Sequence, residues 1–108
     1  MSNPRKSYGY YAGKIVASAT FDGTGGAITA ATSAGLTGIT KSATGVYAPA
    51  FDVTLPNANY IVGVTVNRAN TLVAVTAQST VGFTVTLTDQ VLGAAVDVSG
   101  VTVAATMI

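Results

Sequence analysis

Between residues 46 and 88, apolar and polar positions alternate in short runs, each closed by turn-forming residues. Residues 46–55 (VYAPAFDVTL) lead through Pro56-Asn57-Ala58-Asn59 into 60–67 (YIVGVTVN), and Arg68-Ala69-Asn70 leads into 71–77 (TLVAVTA). Ser79-Thr80 then opens 81–88 (VGFTVTLT). Successive side chains of an extended chain point to opposite faces, so Tyr60, Val62, Val64 and Val66 share one face, as do Phe83, Val85 and Leu87. Upstream, 14–21 (KIVASATF) alternates in the same way and predicts a strand ending at Asp22-Gly23-Thr24-Gly25-Gly26. Residues 27–35 are ambiguous, because their Ala, Thr and Ser suit a helical turn or a poor strand equally. A last pair of strands is expected at 96–98 and 101–107, flanking Ser99-Gly100.

Pro49 has no N–H to give to a ladder, so its strand is expected at a sheet edge or at a bulge. From Leu36 onward the strands recur at the roughly 8–12-residue spacing of sandwiches and barrels. The predicted fold is all-β: an antiparallel β-sandwich or small barrel over residues 14–108, with an extended N-terminal arm over residues 1–13.

Composition narrows the chemistry. Histidine, cysteine, glutamate and tryptophan are absent, and charged residues make up 8% of the 108, against about 25% in an ordinary soluble domain. So little charge predicts a chain that covers its surface with neighbours, as an oligomer or an assembly component. A net charge of +1 gives no basis for nucleic-acid binding, which needs clustered Lys and Arg. Without cysteine there is no disulfide framework and no zinc-finger spacing. No apolar run approaches the ~18 residues of a membrane helix, and Ser7-Tyr8-Gly9-Tyr10-Tyr11 stands where a signal peptide would place its apolar segment. Neither membrane insertion nor export by the usual signal route is expected.

Residues 36–103 bring a family resemblance into view. Gly45-Val46-Tyr47, Phe51, Leu55-Pro56-Asn57-Ala58-Asn59-Tyr60, Val62 and Val64 are followed by Gly82-Phe83-Thr84-Val85, Asp89, Val96-Asp97 and Val101-Thr102-Val103. This order resembles the small β-domains of bacteriophage virions found at tail-fibre tips, in head fibres and in capsid decoration proteins. The resemblance implies a β-sandwich or barrel, commonly a homotrimer, with no catalytic residues to carry over. The chain is short and begins at its own Met1, with no room for a shaft or collar. The expectation is therefore a capsid decoration (cement) protein or head fibre knob on the outer surface of the phage head, in contact with the major capsid protein or another virion protein. The alternative is a receptor-binding tip domain of a tail fibre that recognises a host surface glycan or protein. A third reading, an immunoglobulin-like adhesin module, fits the strands but not the missing export signal.

The arm is the candidate capsid-docking element. It holds two of the five cations and three of the five tyrosines. Arg5, Lys6, Tyr8, Tyr10 and Tyr11 combine bidentate carboxylate recognition with large contact area at low entropy cost. The alternative is a mobile basic tail. A second candidate is the exposed loop tip Asn67-Arg68-Ala69-Asn70, read as a hairpin turn with a lone cation that touches a neighbouring subunit or a glycan, or else as a solvated loop.

Asp22-Gly23-Thr24-Gly25-Gly26 lacks both the Gly-Lys-Ser/Thr ending of a nucleotide loop and the repeated acidic ligands of a calcium loop. It is read as a turn of glycines that tolerate positive φ. Four scattered aspartates and no histidine leave only formal Ser–Lys pairs, such as Lys14 with Ser18 or Lys41 with Ser42. Enzymatic activity and cofactors are not expected. Tyr47, Phe51 and Phe83 are assigned to the core or to a trimer interface.

Overall fold

In the computed structural model, which describes residues 14–28 and 30–108, eight strands and no helix form among the described residues. They are β1 (Ile15–Phe21), β2 (Ala30–Ala34), β3 (Leu36–Ala43), β4 (Val46–Phe51), β5 (Tyr60–Val66), β6 (Thr71–Thr76), β7 (Thr84–Asp89) and β8 (Val101–Met107). Two four-stranded antiparallel sheets result, one in the order β2-β1-β8-β5 and the other β3-β4-β7-β6. The architecture is a β-sandwich. Among the described residues its hydrogen bonding does not close into a barrel, because no ladder joins β2 to β3 or β5 to β6.

The predicted alternation holds where it was strongest. Tyr60, Val62, Val64 and Val66 turn inward while Ile61, Gly63 and Thr65 are exposed, and Phe83, Val85 and Leu87 are buried. The core forms between the inward faces, with Ala17, Ala19 and Phe21 of β1 and Val101, Val103, Ala105 and Met107 of β8 against Tyr47, Phe51, Val85 and Leu87. Tyr47, Phe51 and Phe83 are core residues. Aromatic rings stiffen both ends of the sandwich: Phe21 meets Tyr47 edge-on at 5.2 Å, and Phe51, Tyr60 and Phe83 cluster with centroids 5.3–6.1 Å apart.

The ambiguous segment contains an edge strand, β2, and the chain changes sheet immediately after it. Gly35 alone separates β2 from β3, at φ +74. A Cβ there would collide with the Val16 carbonyl oxygen, so only glycine fits this corner.

Three sequence expectations are corrected. The strand carrying Pro49 is internal, lying between β3 and β7. Phe83 N–H donates to the Pro49 carbonyl at 3.3 Å, but proline returns no bond, and the regular β4–β7 ladder is confined to Val46–Thr86 and Tyr47–Val85. The irregularities of this region lie in the β3–β4 ladder, with the extra residues on β3. Residues 67–70 are not a hairpin turn: β5 belongs to one sheet and β6 to the other, so they form a crossover. Residues 96–98 form no strand. They connect the sheets, and the Val98 carbonyl accepts from Gly23 N–H at 2.8 Å. Alternation is the same whatever a strand pairs with, so it could not assign partners.

Candidate functional site

Lys14, where the description begins, has its carbonyl bonded to Met107 N–H at 3.0 Å. Met107 in turn pairs with Tyr60 at the start of β5. Residues 67–70 follow the end of β5, so the loop tip lies at the opposite end of the sandwich from the point where the arm joins. The arm candidates Arg5, Lys6, Tyr8, Tyr10 and Tyr11 lie outside the described residues.

At the tip, Arg68 is not a lone cation. Its guanidinium pairs with Asp89 and contacts the Thr71 hydroxyl at 3.1 Å, leaving the side chain half-buried. The Asn67 amide donates to Ser99 Oγ at 3.3 Å and accepts from Gly100 N–H at 3.1 Å. Asn70 is exposed at φ 55, and its carbonyl accepts from Gln90 N–H at 2.7 Å. Each of the three therefore ties the crossover to neighbouring loops. Beside them Thr24, Asn67, Arg68, Asp97, Val98 and Ser99 line a shallow open depression of about 330 Å³.

Next to this depression is a polar hub that the sequence did not assemble. The Lys41 ammonium donates to Gly23 O at 3.2 Å, Gly25 O at 2.8 Å and Asp97 Oδ2 at 2.8 Å. Its three donors thus have three partners. Asp97 Oδ1 accepts from Gly45 N–H at 2.8 Å and lies 3.1 Å from the Tyr47 hydroxyl, which also lies 2.8 Å from Gly23 O. Lys41 holds the Asp97 carboxyl below the usual carboxylate range. Burial, reinforced by Asp97, pushes the Tyr47 hydroxyl up to about 12.

The hub explains the glycine-rich turn. Carbonyls of Gly23 and Gly25 converge on an ammonium, the reverse of a phosphate loop, whose N–H groups converge on an anion. None of Gly23, Gly25 and Gly26 has positive φ, so the expected reason for these glycines is corrected. Gly23 is required by contact: an added Cβ would strike the Tyr47 hydroxyl and approach its ring carbon at 2.6 Å. Asp22 caps the turn through Thr24 N–H at 2.9 Å and the Thr24 hydroxyl, which lower its pKa.

The surfaces most suited to association are the outer faces of the sheets. In the first sheet the outward rows are Ile15–Thr106–Ile61, Ser18–Ala104–Gly63 and Thr20–Thr102–Thr65. In the second they include Leu72–Thr88, Ala74–Thr86–Val46 and Thr76–Thr84. Neither set contains a charge. At the loop end, Val91 and Leu92 are 77% and 79% exposed on a turn whose N–H groups are both held by Asp89 Oδ1, at 2.8 and 2.9 Å. Val91-Leu92-Gly93 was legible as an apolar pair before a glycine, but the carboxylate that holds it rigid lies in the fold.

The chain matches no family model, no curated protein and no solved structure. Gly45, Tyr47 and Asp97 meet in the hub, and Phe51, Tyr60 and Phe83 form the second aromatic cluster.

Proposed function

We propose that this protein is structural: a capsid decoration (cement) protein or head fibre knob that docks on the phage head as a homotrimer and stabilises it. The observation that carries the reading is the absence of charge from the outward rows of both sheets. Threonine, alanine and glycine rows can be covered by another protein without burying an unpaired ion. The resemblance of residues 36–103 to phage virion β-domains supplies the setting. The arm, with Arg5, Lys6 and its three tyrosines, is the docking element, and threefold symmetry presents three arms at once, so weak contacts gain from effective concentration. A ligand that binds the assembled shell but not its separated parts stabilises the shell by mass action.

The depression beside Asn67 and Arg68 favours a second reading, a tail-fibre tip that takes a host glycan at the end away from the arm. Particles lacking the protein separate the two. Cement predicts lower heat and osmotic resistance with unchanged host adsorption, and occupancy that falls when residues 2–11 are deleted. Normal resistance with lost adsorption overturns it in favour of the tip domain.

A further inference from the structure

The edge strand β6 is unlike the other three edges. Natural sheets blunt exposed edges with charges, proline, bulges or a cover. The β2 edge has a register shift against β1 at Thr20/Phe21, and β3 has two shifts and carries Lys41. β5, like β6, pairs without a shift and holds no charge or proline, but it contains Gly63, and its first carbonyl, that of Tyr60, accepts from the Gln78 side chain. β6 has none of these. Its six residues TLVAVT pair with β7 without a shift and contain no charge, proline or glycine. Asn70 and Ala77, at φ 55 and 51, mark its two ends.

The direction of its backbone groups follows from the next strand. Leu87 N–H donates to Gly45 O and Phe83 N–H to Pro49 O, so odd-numbered residues of β7 face β4. Thr84, Thr86 and Thr88 then face β6 and bond to Thr76, Ala74 and Leu72. Thr71, Val73 and Val75 therefore turn their N–H and C=O groups away from the sheet. Among the described residues these groups meet no other strand. Val73 points inward yet is 39% exposed, as an uncovered edge requires.

We infer that β6 is a docking edge for β6 of a second copy, joined antiparallel about a two-fold axis with Val73 opposite Val73. This register sets Thr71 opposite Val75 on both sides and gives about six hydrogen bonds between the copies. Leu72 faces Ala74 of the second copy, so outward residues meet outward residues and inward meet inward. No like charges are brought together, because Arg68 beyond one end of the strand is already paired with Asp89 and the residues beyond the other end are Ala77 and Gln78. A two-fold pair consumes the edge and closes, so it limits itself rather than growing into a fibre. The pairing stands whether or not the protein belongs to a virion.

Amide hydrogen exchange on the full chain tests it. In the separate chain the amides of Leu72, Ala74 and Thr76 exchange slowly and those of Val73 and Val75 quickly. Pairing slows Val73 and Val75 by about tenfold or more from dilute to concentrated protein. Rates at these two amides that ignore concentration overturn the proposal. Val73→Lys is expected to abolish the slowing, read at the amides of Thr71 and Val75, and to halve the mass of the assembly. Ser42→Lys, on the opposite edge of the same sheet, leaves both unchanged. If Val73→Lys does not fold, exchange in the unsubstituted protein still decides. Slowing that disappears in protein lacking residues 2–11 means that the arm, not a second β6, takes the edge, and it too overturns the proposal.

Discussion

The Lys41 ammonium has three partners at once, and they come from the β1–β2 turn and from the connection before β8. With 11% and 24% of the two side chains exposed, Lys41 and Asp97 are desolvated enough that losing one partner strands the other. Asp97→Asn is expected to lower stability at pH 7 by about 2 kcal/mol in urea unfolding. The acid limb follows from the depressed carboxyls of Asp97, held by Lys41, and Asp89, held chiefly by Leu92 N–H and then Arg68. A carboxyl with a lowered native pKa stabilises the fold above its unfolded value of about 3.9 and loses that contribution as pH falls through the native value. Stability should therefore drop below about pH 4, with a shallower drop in Asp97→Asn. Equal slopes in both proteins would refute the role given to Asp97.

At the scale of elements, four connections carry the chain from one sheet to the other. The shortest is Gly35, where positive φ and contact with Val16 both exclude a side chain. Gly35→Ala is predicted to destabilise by about 2–4 kcal/mol, opposite in sign to the gain of about 0.4–1 kcal/mol that reduced chain entropy gives at an unstrained glycine. Thermal unfolding measures it, and a change below 1 kcal/mol rules out the corner as a constraint. Pro49 illustrates how a residue rule can mislead at this scale. Its missing donor faces β7, but Phe83 N–H still donates to the Pro49 carbonyl and Ala50 bridges Gly82 in the same register, so the sheet loses one bond and tolerates a proline in an internal strand.

For the whole molecule, the distribution of charge matters more than its amount. The described charges sit at strand ends, in the connections between strands and in the hub, while the outer rows of both sheets have none. Ala104 lies at the centre of the first sheet's outer face, between Ser18 and Gly63. If the proposed assembly covers this face, Ala104→Lys leaves the fold intact but reduces that assembly to smaller species in light scattering, because the lysine would have to be buried unpaired. An unchanged mass would remove that face from any interface.

The sequence by itself determined the all-β class, the inward faces of β5 and β7, and the burial of Tyr47, Phe51 and Phe83, because these rest on a period of two that each strand carries locally. It also placed β1 and most strand limits to within a few residues. Only the tertiary structure decided strand partners, the crossover at residues 67–70, the internal position of β4, and the hub joining Lys41, Tyr47 and Asp97 across as many as 56 residues of chain. Those features depend on contacts between segments distant in sequence, and alternation along one strand has no information about which segment lies beside it.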